Sequence, residues 1–164
     1  MTAVEFFLCV LAMVESGNNP NAVGDLKLRN KAYGLYQIRK PYLDDVNRIY
    51  RKEVREKFGR RLTIKDVYGR GSEGTATWVV KAYLSHYGKL YTKKTGRNPT
   101  AMVYARIHNG GPHGWRKRST WGYWLRFIRE REQVKAMLCR SSQGQSSGKL
   151  LSRRATRSCL RQDG

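Results

Sequence analysis

Apolar residues near the start of the chain recur at the spacing of one helix face. The apolar positions are Val4, Phe7, Leu8, Leu11 and Ala12. Thr2 and Glu5 have the T-x-x-E spacing of a capping box, so the pattern predicts a helix over about residues 3–16. This helix ends because Gly17 can adopt a left-handed conformation and Pro20 cannot continue a helix.

One carboxylate, Glu15, falls inside this apolar stripe. At about 100° per residue it projects within roughly 20° of Val4 and Leu8. Burying a carboxylate without a partner is costly, so the position requires a chemical explanation. Burial favours the protonated form of a carboxylic acid, which is the form that a general acid needs. The alternative is a glutamate that reaches past the helix end to bond the backbone amides of a loop.

The remaining pattern predicts an α+β fold that is predominantly α. Residues 22–38 alternate in character around a turn candidate at 29–31, which predicts a short β-hairpin. Pro41 begins a helical pattern that continues to Gly59, and a connecting loop is expected over residues 59–73. Further helices are predicted over about 75–91, with Leu90 on its buried face, from Asn98–Pro99 to the break at 108–114, and after Ser119.

The length of 164 residues suits one globular domain, which we assign to residues 1–138. Residues 139–164 are basic and rich in Ser, Gln, Gly and Arg, which predicts a flexible tail. The stretch FFLCVLAMV lacks a basic region before it and a small-residue cleavage site after it, so we interpret it as a structural helix and not as a signal peptide. No stretch has the apolar length of a transmembrane helix.

The chain is strongly basic, with 33 Lys and Arg against 12 Asp and Glu and a net charge of +21. Such a charge attracts nucleic acid, anionic membranes and acidic wall polymers alike. The basic residues are spread along the chain and form no recognised nucleic-acid motif, so we expect only non-specific binding to nucleic acid. Cys9, Cys139 and Cys159 specify neither a disulfide framework nor a metal site, and we expect no metal and no cofactor.

A second carboxylate follows Glu15 in the predicted β region. Asp25 is the only acidic residue between Glu15 and Asp44, and it lies where a tight turn would fold the chain back across the helix end. Two carboxylates in unlike environments are the minimum requirement for cleaving a glycosidic bond. The spacing alone is a weak signal, because an aspartate in a loop is commonly a turn residue.

The residues around these carboxylates carry a more specific signal. They include Glu15-Ser16-Gly17, GLYQIRKPYLDD from Gly34, ARIHNGGP from Ala105 and STWGYW from Ser119. These motifs resemble those of the lysozyme superfamily, and the later two are most similar to the invertebrate-type lysozymes, the family that includes destabilase. The resemblance covers about residues 5–130 in order. It implies a lysozyme-like fold with a small β-hairpin beside an active-site cleft.

The resemblance also implies an activity and the residues that carry it. The implied reaction is hydrolysis, with retention, of the β-1,4 bond between N-acetylmuramic acid and N-acetylglucosamine in bacterial peptidoglycan, an antibacterial activity. Glu15 corresponds to the general acid/base and Asp25 to the second carboxylate. Candidate substrate-binding residues are Tyr33, Tyr36, Gln37, His108, Asn109 and Gly110. Ordinary packing is the alternative for the tyrosines, and a hydrogen bond that stabilises its loop is the alternative for His108.

Three other functions stay open at this stage, one of them a lysozyme-like fold that has lost its activity and serves as a structural or matrix-binding protein. The ESGNNPNA and GLYQI segments also resemble lytic transglycosylases, in which one glutamate suffices and the product is a 1,6-anhydro sugar. A non-enzymatic protein that binds polyanions would explain the charge equally well. The chain lacks the many cysteines of invertebrate-type lysozymes, and the segment 44–75 is expected to supply core in their place. The resemblance implies secretion or delivery to the bacterial wall, and the oligomeric state is not predicted.

Overall fold

Helices and a small sheet build the described part of the chain. A computed structural model describes residues 1–142. In chain order the elements are α1 (Ala3–Ser16), β1 (Val23–Gly24), β2 (Ala32–Tyr33), β3 (Ile38–Arg39), α2 (Lys40–Ile49), α3 (Arg51–Phe58), α4 (Glu73–Thr95), α5 (Ala101–Gly110) and α6 (Trp121–Ser142). Short 3-10 turns lie at Ile64–Asp66, Gly114–Arg116 and Arg118–Thr120. The predicted α+β class, predominantly α, is confirmed.

The first helix has the predicted bounds and caps. Thr2 Oγ1 accepts from the Glu5 amide at 3.2 Å, while the Glu5 carboxylate accepts from the Thr2 amide at 2.6 Å. Gly17 ends the helix with a φ of 61°. The predicted face was wrong at Val4, which is 57% exposed and lines a groove between α1, α4 and α5. The buried positions of α1 are Leu8, Val10, Leu11 and Ala12.

The β region is a three-stranded antiparallel sheet in the order β1-β2-β3. Val23 pairs with Tyr33, and Tyr33 pairs with Ile38, so the predicted hairpin is extended by a third strand. Gly34 follows β2 with a φ of +72°, and a Cβ there would lie 2.2 Å from the Val67 carbonyl oxygen. This close approach fixes the sheet against the loop that precedes α4.

The helix predicted from Pro41 to Gly59 is two helices, α2 and α3. The backbone leaves the helical region at Tyr50, with φ −107° and ψ 37°. The Tyr50 ring packs edge-on against Trp78 of α4, a tertiary contact that no local pattern encodes. Val54 of α3 and Leu62 and Val67 of the following loop are all buried, so this segment supplies core as expected.

The helix α4 packs against α2 and α5 and is longer than predicted. Val79, Val80 and Tyr83 are buried in the core, whereas Leu90 is 46% exposed, so its predicted burial was wrong. Around it, α5 packs against α4 and α6, and α1 packs against α6. Within residues 1–142, no helix is long and apolar enough to cross a membrane.

The last helix passes the predicted domain boundary at residue 138. It continues to Ser142, so the first residues of the predicted tail are helical. Residues 143–164, which hold the rest of that tail, lie outside the described residues.

A carboxylate anchors the loop before α4 and makes stability depend on pH. Asp66 receives two bonds from the Arg60 guanidinium, at 2.9 and 2.6 Å, and one from the Thr63 amide at 2.7 Å. The Arg60 bonds come first among the causes that lower the pKa of Asp66 from 3.8 to about 2. This pairing therefore stabilises the fold fully above pH 3.8 and is lost as the pH falls through about 2.

We expect Asp66→Asn to lower the free energy of unfolding at pH 7 by about 1–2 kcal/mol, since solvent screens part of the interaction. The difference in the free energy of unfolding between wild type and variant should narrow below pH 4 and vanish only below about pH 2, once Asp66 is protonated in the folded state as well. Urea unfolding of both proteins at several pH values measures this difference in the free energy of unfolding. A gap that is independent of pH would show that the ionised carboxylate is not its cause.

Candidate active site

A cleft opens between the sheet, the end of α1 and the helices α2, α5 and α6, with a cavity volume of about 460 Å³. The predicted catalytic residues Glu15 and Asp25 both line it. The other polar residues of its lining are Gln37, Arg39, Tyr42, Asp45, Tyr83, His108, Asn109, Tyr123 and Arg126. The tertiary structure thus brings together side chains from the β region and from five helices, α1, α2, α4, α5 and α6.

The Glu15 carboxylate is held at one oxygen. Its side chain is 15% exposed, and Oε1 accepts a 2.6 Å hydrogen bond from the Tyr123 hydroxyl. His108 Nε2 lies 3.4 Å from the same oxygen. Within the described part of the chain these polar contacts both go to Oε1, which leaves Oε2 for a ligand in the cleft. Among residues 1–142, the polar contacts of Glu15 are with side chains and not with the amides of a loop, the alternative that its position allowed.

The tyrosine that holds Glu15 stays protonated. Burial, followed by the negative charge of Glu15, raises the pKa of Tyr123 well above its usual range. Burial likewise raises the pKa of Tyr42, which contacts His108. Both hydroxyls are therefore hydrogen-bond donors across the whole physiological range.

His108 is buried at the end of α5 and makes two further hydrogen bonds. Nε2 lies 3.1 Å from the Tyr36 carbonyl oxygen, and Nδ1 lies 3.2 Å from the Tyr42 hydroxyl. A carbonyl oxygen only accepts, so the network assigns the proton to Nε2 and makes Nδ1 the acceptor of the Tyr42 proton. The same Nε2–H faces Glu15. His108 is therefore a positioning residue beside the carboxylate.

Asp25, the second predicted catalytic carboxylate, lies in the turn that follows β1. It adopts a φ of 53°, a left-handed conformation that Asp and Asn tolerate better than other non-glycine residues. Its carboxylate forms an ion pair with Arg39 of β3, and its side chain is 39% exposed. The arginine fixes the orientation of a carboxylate that solvent and ligands can reach.

Gln37 combines a place in the cleft lining with a structural role. Its Nε2 donates to the carbonyl oxygens of Gly34, at 3.0 Å, and of Ala22, at 3.3 Å. A Cβ on Gly24 would meet Gln37 Oε1 at 2.2 Å, so the amide fits tightly against β1. Gln37 thereby ties the strand region together at the edge of the cleft.

Of the four other predicted binding residues, one lines the cleft and three do not. Asn109 lines the cleft, whereas Tyr33, Tyr36 and Gly110 are not among the described residues of its lining. Tyr36 is 4% exposed, with its hydroxyl 3.1 Å from Thr77 Oγ1, so it packs in the core. The Tyr33 ring packs edge-on against Tyr68. The Gly110 carbonyl accepts from Lys117 at 2.6 Å.

The ARIHNGGP and STWGYW motifs meet in a structural clamp around Arg106. This buried guanidinium donates to Thr120 Oγ1 and to the Lys117 carbonyl, both at 2.9 Å. It also stacks on the Trp121 ring at 4.6 Å. A Cβ on Gly114 would meet the Arg106 carbonyl oxygen at 1.8 Å, so only glycine permits this approach. The clamp sets α6 against α5 and so places Tyr123 opposite His108.

Sequence reasoning missed several polar residues of the cleft, namely Arg39, Tyr42, Asp45, Tyr83, Tyr123 and Arg126. Tyr123 lies within the STWGYW motif, which was a signal that could have found it. Asp45 accepts from the Tyr87 hydroxyl at 2.6 Å and pairs with Arg48 at 2.7 Å. The Arg48 pair has the i,i+3 spacing of neighbours on a helix, whereas the Tyr87 contact, 42 residues away, is not predictable from local spacing.

Comparisons with known proteins identify the family of the chain. No family model matches the chain. The chain is 32% identical over 116 residues to invertebrate-type lysozyme 3 of Caenorhabditis elegans, a match that covers 70% of this chain and 76% of the relative. The chain belongs to the invertebrate-type lysozyme family.

Further relatives support this membership. A lysozyme of Ostrea edulis is 33% identical over 96 residues, which cover 58% of each protein. Among solved structures, that of Meretrix lusoria lysozyme in complex with Aeromonas hydrophila PliI matches with a TM-score of 0.57 and 26% identity, over 76% of this chain and 87% of the other. The predicted family is confirmed, and the chain is a glycoside hydrolase with a lysozyme fold.

The Tyr123 hydrogen bond to Glu15 gives a prediction of its own. Tyr123→Phe keeps the buried ring and removes only the hydroxyl, so the carboxylate loses the contact that orients it. We expect kcat on peptidoglycan to fall about tenfold with KM nearly unchanged. Tyr36→Phe is the matched control, since it removes a buried hydroxyl that bonds Thr77 and not Glu15. An equal loss of kcat in both variants would contradict a specific effect on Glu15.

Proposed function

We propose that this lysozyme hydrolyses the β-1,4 bond between N-acetylmuramic acid and N-acetylglucosamine of bacterial peptidoglycan, with Glu15 as general acid/base and Asp25 as the second carboxylate. The observation that carries the proposal is the pair of unlike carboxylates in one cleft. Glu15 is nearly buried and held at Oε1, while Asp25 is accessible and held by Arg39. Environments that differ in this way suit an acid and a carboxylate that acts on the sugar ring.

The proposed reaction has two steps. In the first, Glu15 Oε2 donates its proton to the leaving glycosidic oxygen while the Asp25 carboxylate attacks or stabilises the oxocarbenium-like centre. In the second, Glu15 removes a proton from water, which attacks the same carbon and restores its configuration. The Tyr123 hydrogen bond holds Oε1 throughout, with His108 Nε2 close to the same oxygen, so that the proton moves at Oε2.

The cleft also supports the assignment of substrate and setting. Relatives named lysozyme imply peptidoglycan as the substrate, and Asn109 supplies an amide, and Gln37 an acceptor oxygen, that suit sugar hydroxyl and acetamido groups. The net charge of +21 favours approach to the anionic bacterial wall. We propose that the enzyme acts there as an antibacterial protein and that its binding weakens as salt rises.

Mass spectrometry of fragments released from purified peptidoglycan tests the reaction. We expect muropeptides with reducing-end N-acetylmuramic acid and, when the reaction is run in ¹⁸O-water, one heavy oxygen at each new reducing end. Products with a 1,6-anhydro ring would assign the enzyme to transglycosylase chemistry, in which no water is consumed. No fragments at all would contradict the proposed substrate.

A further inference from the structure

A second concavity lies at the end of α2, along α3 and under the loop that follows, with a volume of about 550 Å³. Five arginines line it: Arg48, Arg51, Arg55, Arg60 and Arg61. We call it the arginine pocket. The acidic residue among its described lining residues is Asp44 alone. Repulsion between these like charges raises the free energy of the folded protein, and a bound anion would offset that repulsion.

The pocket is built by buried contacts and is not a chance gathering of long side chains. The Asn47 side chain is 7% exposed and clamps the backbone of Leu62, donating to its carbonyl oxygen and accepting from its amide, both at 2.9 Å. Val54 is buried beneath it. The clamp holds the loop with Arg60 and Arg61 against α2, so these guanidinium groups face the pocket from a fixed backbone.

The arginines of the pocket fall into two groups. Three are oriented by carboxylates: Arg48 by Asp45 at 2.7 Å, Arg60 by Asp66 at 2.6 Å and Arg61 by Asp44 at 2.7 Å. Arg51 and Arg55 have no carboxylate partner among residues 1–142, and both side chains are exposed. The unpaired arginines give the pocket its excess of positive charge.

The pocket adjoins the cleft. Asp45, which pairs with Arg48 of the pocket, also lines the cleft. The Asp45–Arg48 ion pair therefore separates a ligand in the pocket from the cleft that we propose for the glycan.

The chemistry of the lining selects the class of ligand. Guanidinium groups bind phosphate oxygens through paired, charge-assisted hydrogen bonds. Single-stranded nucleic acid is bound on stacking aromatic rings as well as on cations, and the described residues that line this pocket include no aromatic side chain. A flexible phosphodiester chain without bases fits the pocket better.

We propose that the arginine pocket binds a linear phosphodiester polymer of the bacterial wall, of the poly(glycerol phosphate) type, beside the glycan in the cleft. This inference rests on the proposed function for its biological setting. The pocket acts as an anchoring site that retains the enzyme on walls that carry the polymer and has no part in the chemical step.

Binding of purified poly(glycerol phosphate) to the full chain tests the pocket, by titration calorimetry at about 0.15 M salt, where non-specific attraction is screened. Arg51→Gln/Arg55→Gln should weaken binding by at least about tenfold. Arg97→Gln/Arg129→Gln is the matched control, since it removes the same charge from two exposed arginines outside the pocket, and it should change binding by less than about twofold. Equal weakening in both variants, or none, would overturn the proposal.

A nucleic-acid probe and a wall assay complete the test. A single-stranded oligonucleotide with the same number of phosphates should bind more weakly than the polymer, and tighter binding that depends on Arg51 and Arg55 would make this a nucleic-acid site instead. On walls that carry the polymer the pocket variant should raise KM, whereas on walls stripped of it both kinetic constants should match wild type. Failure of wild type to cleave either wall would contradict the proposed function, and the binding titration would still decide the pocket.

Discussion

We expect Glu15→Gln to lower the rate of peptidoglycan hydrolysis by about a thousandfold, the middle of the range for loss of general acid/base catalysis. The glutamine keeps the size of the side chain, and its carbonyl oxygen still accepts the hydrogen bond from Tyr123. What it lacks is a proton to give to the leaving oxygen. Release of reducing ends measures the rate, and thermal unfolding verifies that the variant is folded.

Glu5→Gln is the matched control for this substitution. Glu5 lies on the same helix but at its exposed N-terminal end, where it closes the capping box with Thr2. The control should lose some stability and keep its activity. If Glu15→Gln retained more than about a tenth of the wild-type rate, Glu15 would not be the general acid.

The second large effect is expected for Asp25→Asn, with a loss of about a hundredfold in kcat and a smaller change in KM. Asn accepts the left-handed backbone of this position, where φ is 53°, so the turn keeps its shape. The amide cannot attack the sugar or balance the positive charge that develops on it. The result also separates two mechanisms, because a transglycosylase needs no second carboxylate.

Asp66→Asn is the control, since it also removes an aspartate from an ion pair with an arginine and lies outside the described lining of the cleft. At pH 7, well below its unfolding temperature, this control should retain full kcat. Unchanged activity of Asp25→Asn would remove Asp25 from the mechanism and favour 1,6-anhydro products. The mass spectrometry described above would then be expected to find them.

Local interactions explain which parts of the fold were predictable. The bounds of α1 follow from the capping box at Thr2 and Glu5 and from Gly17, all within one turn of the helix ends. The break at Tyr50 and the exposure of Leu90 were not predictable in the same way. Each depends on which other helix lies alongside, which hydrophobic periodicity does not specify.

The motif residues also turned out to have structural roles that spacing did not reveal. Ser16 of the Glu15-Ser16-Gly17 motif donates to the Leu35 carbonyl at 2.8 Å and so ties the end of α1 to the segment after β2. Arg106 and Thr120 join the two later motifs. The resemblance to a family marked these residues, but their physical contribution is visible only in the contacts they make.

By itself, the sequence determined the helix that carries Glu15, the inward direction of that side chain and the family of the chain, because helix periodicity, caps and motifs are local properties. The tertiary structure alone decided what surrounds the carboxylate. Tyr123 is 108 residues away from Glu15 along the chain, and Tyr36, whose carbonyl orients His108, is 72 residues away from it. Such contacts exist only once the core has packed, because burial in that core brings distant groups within hydrogen-bond distance and excludes the water that would otherwise compete for them.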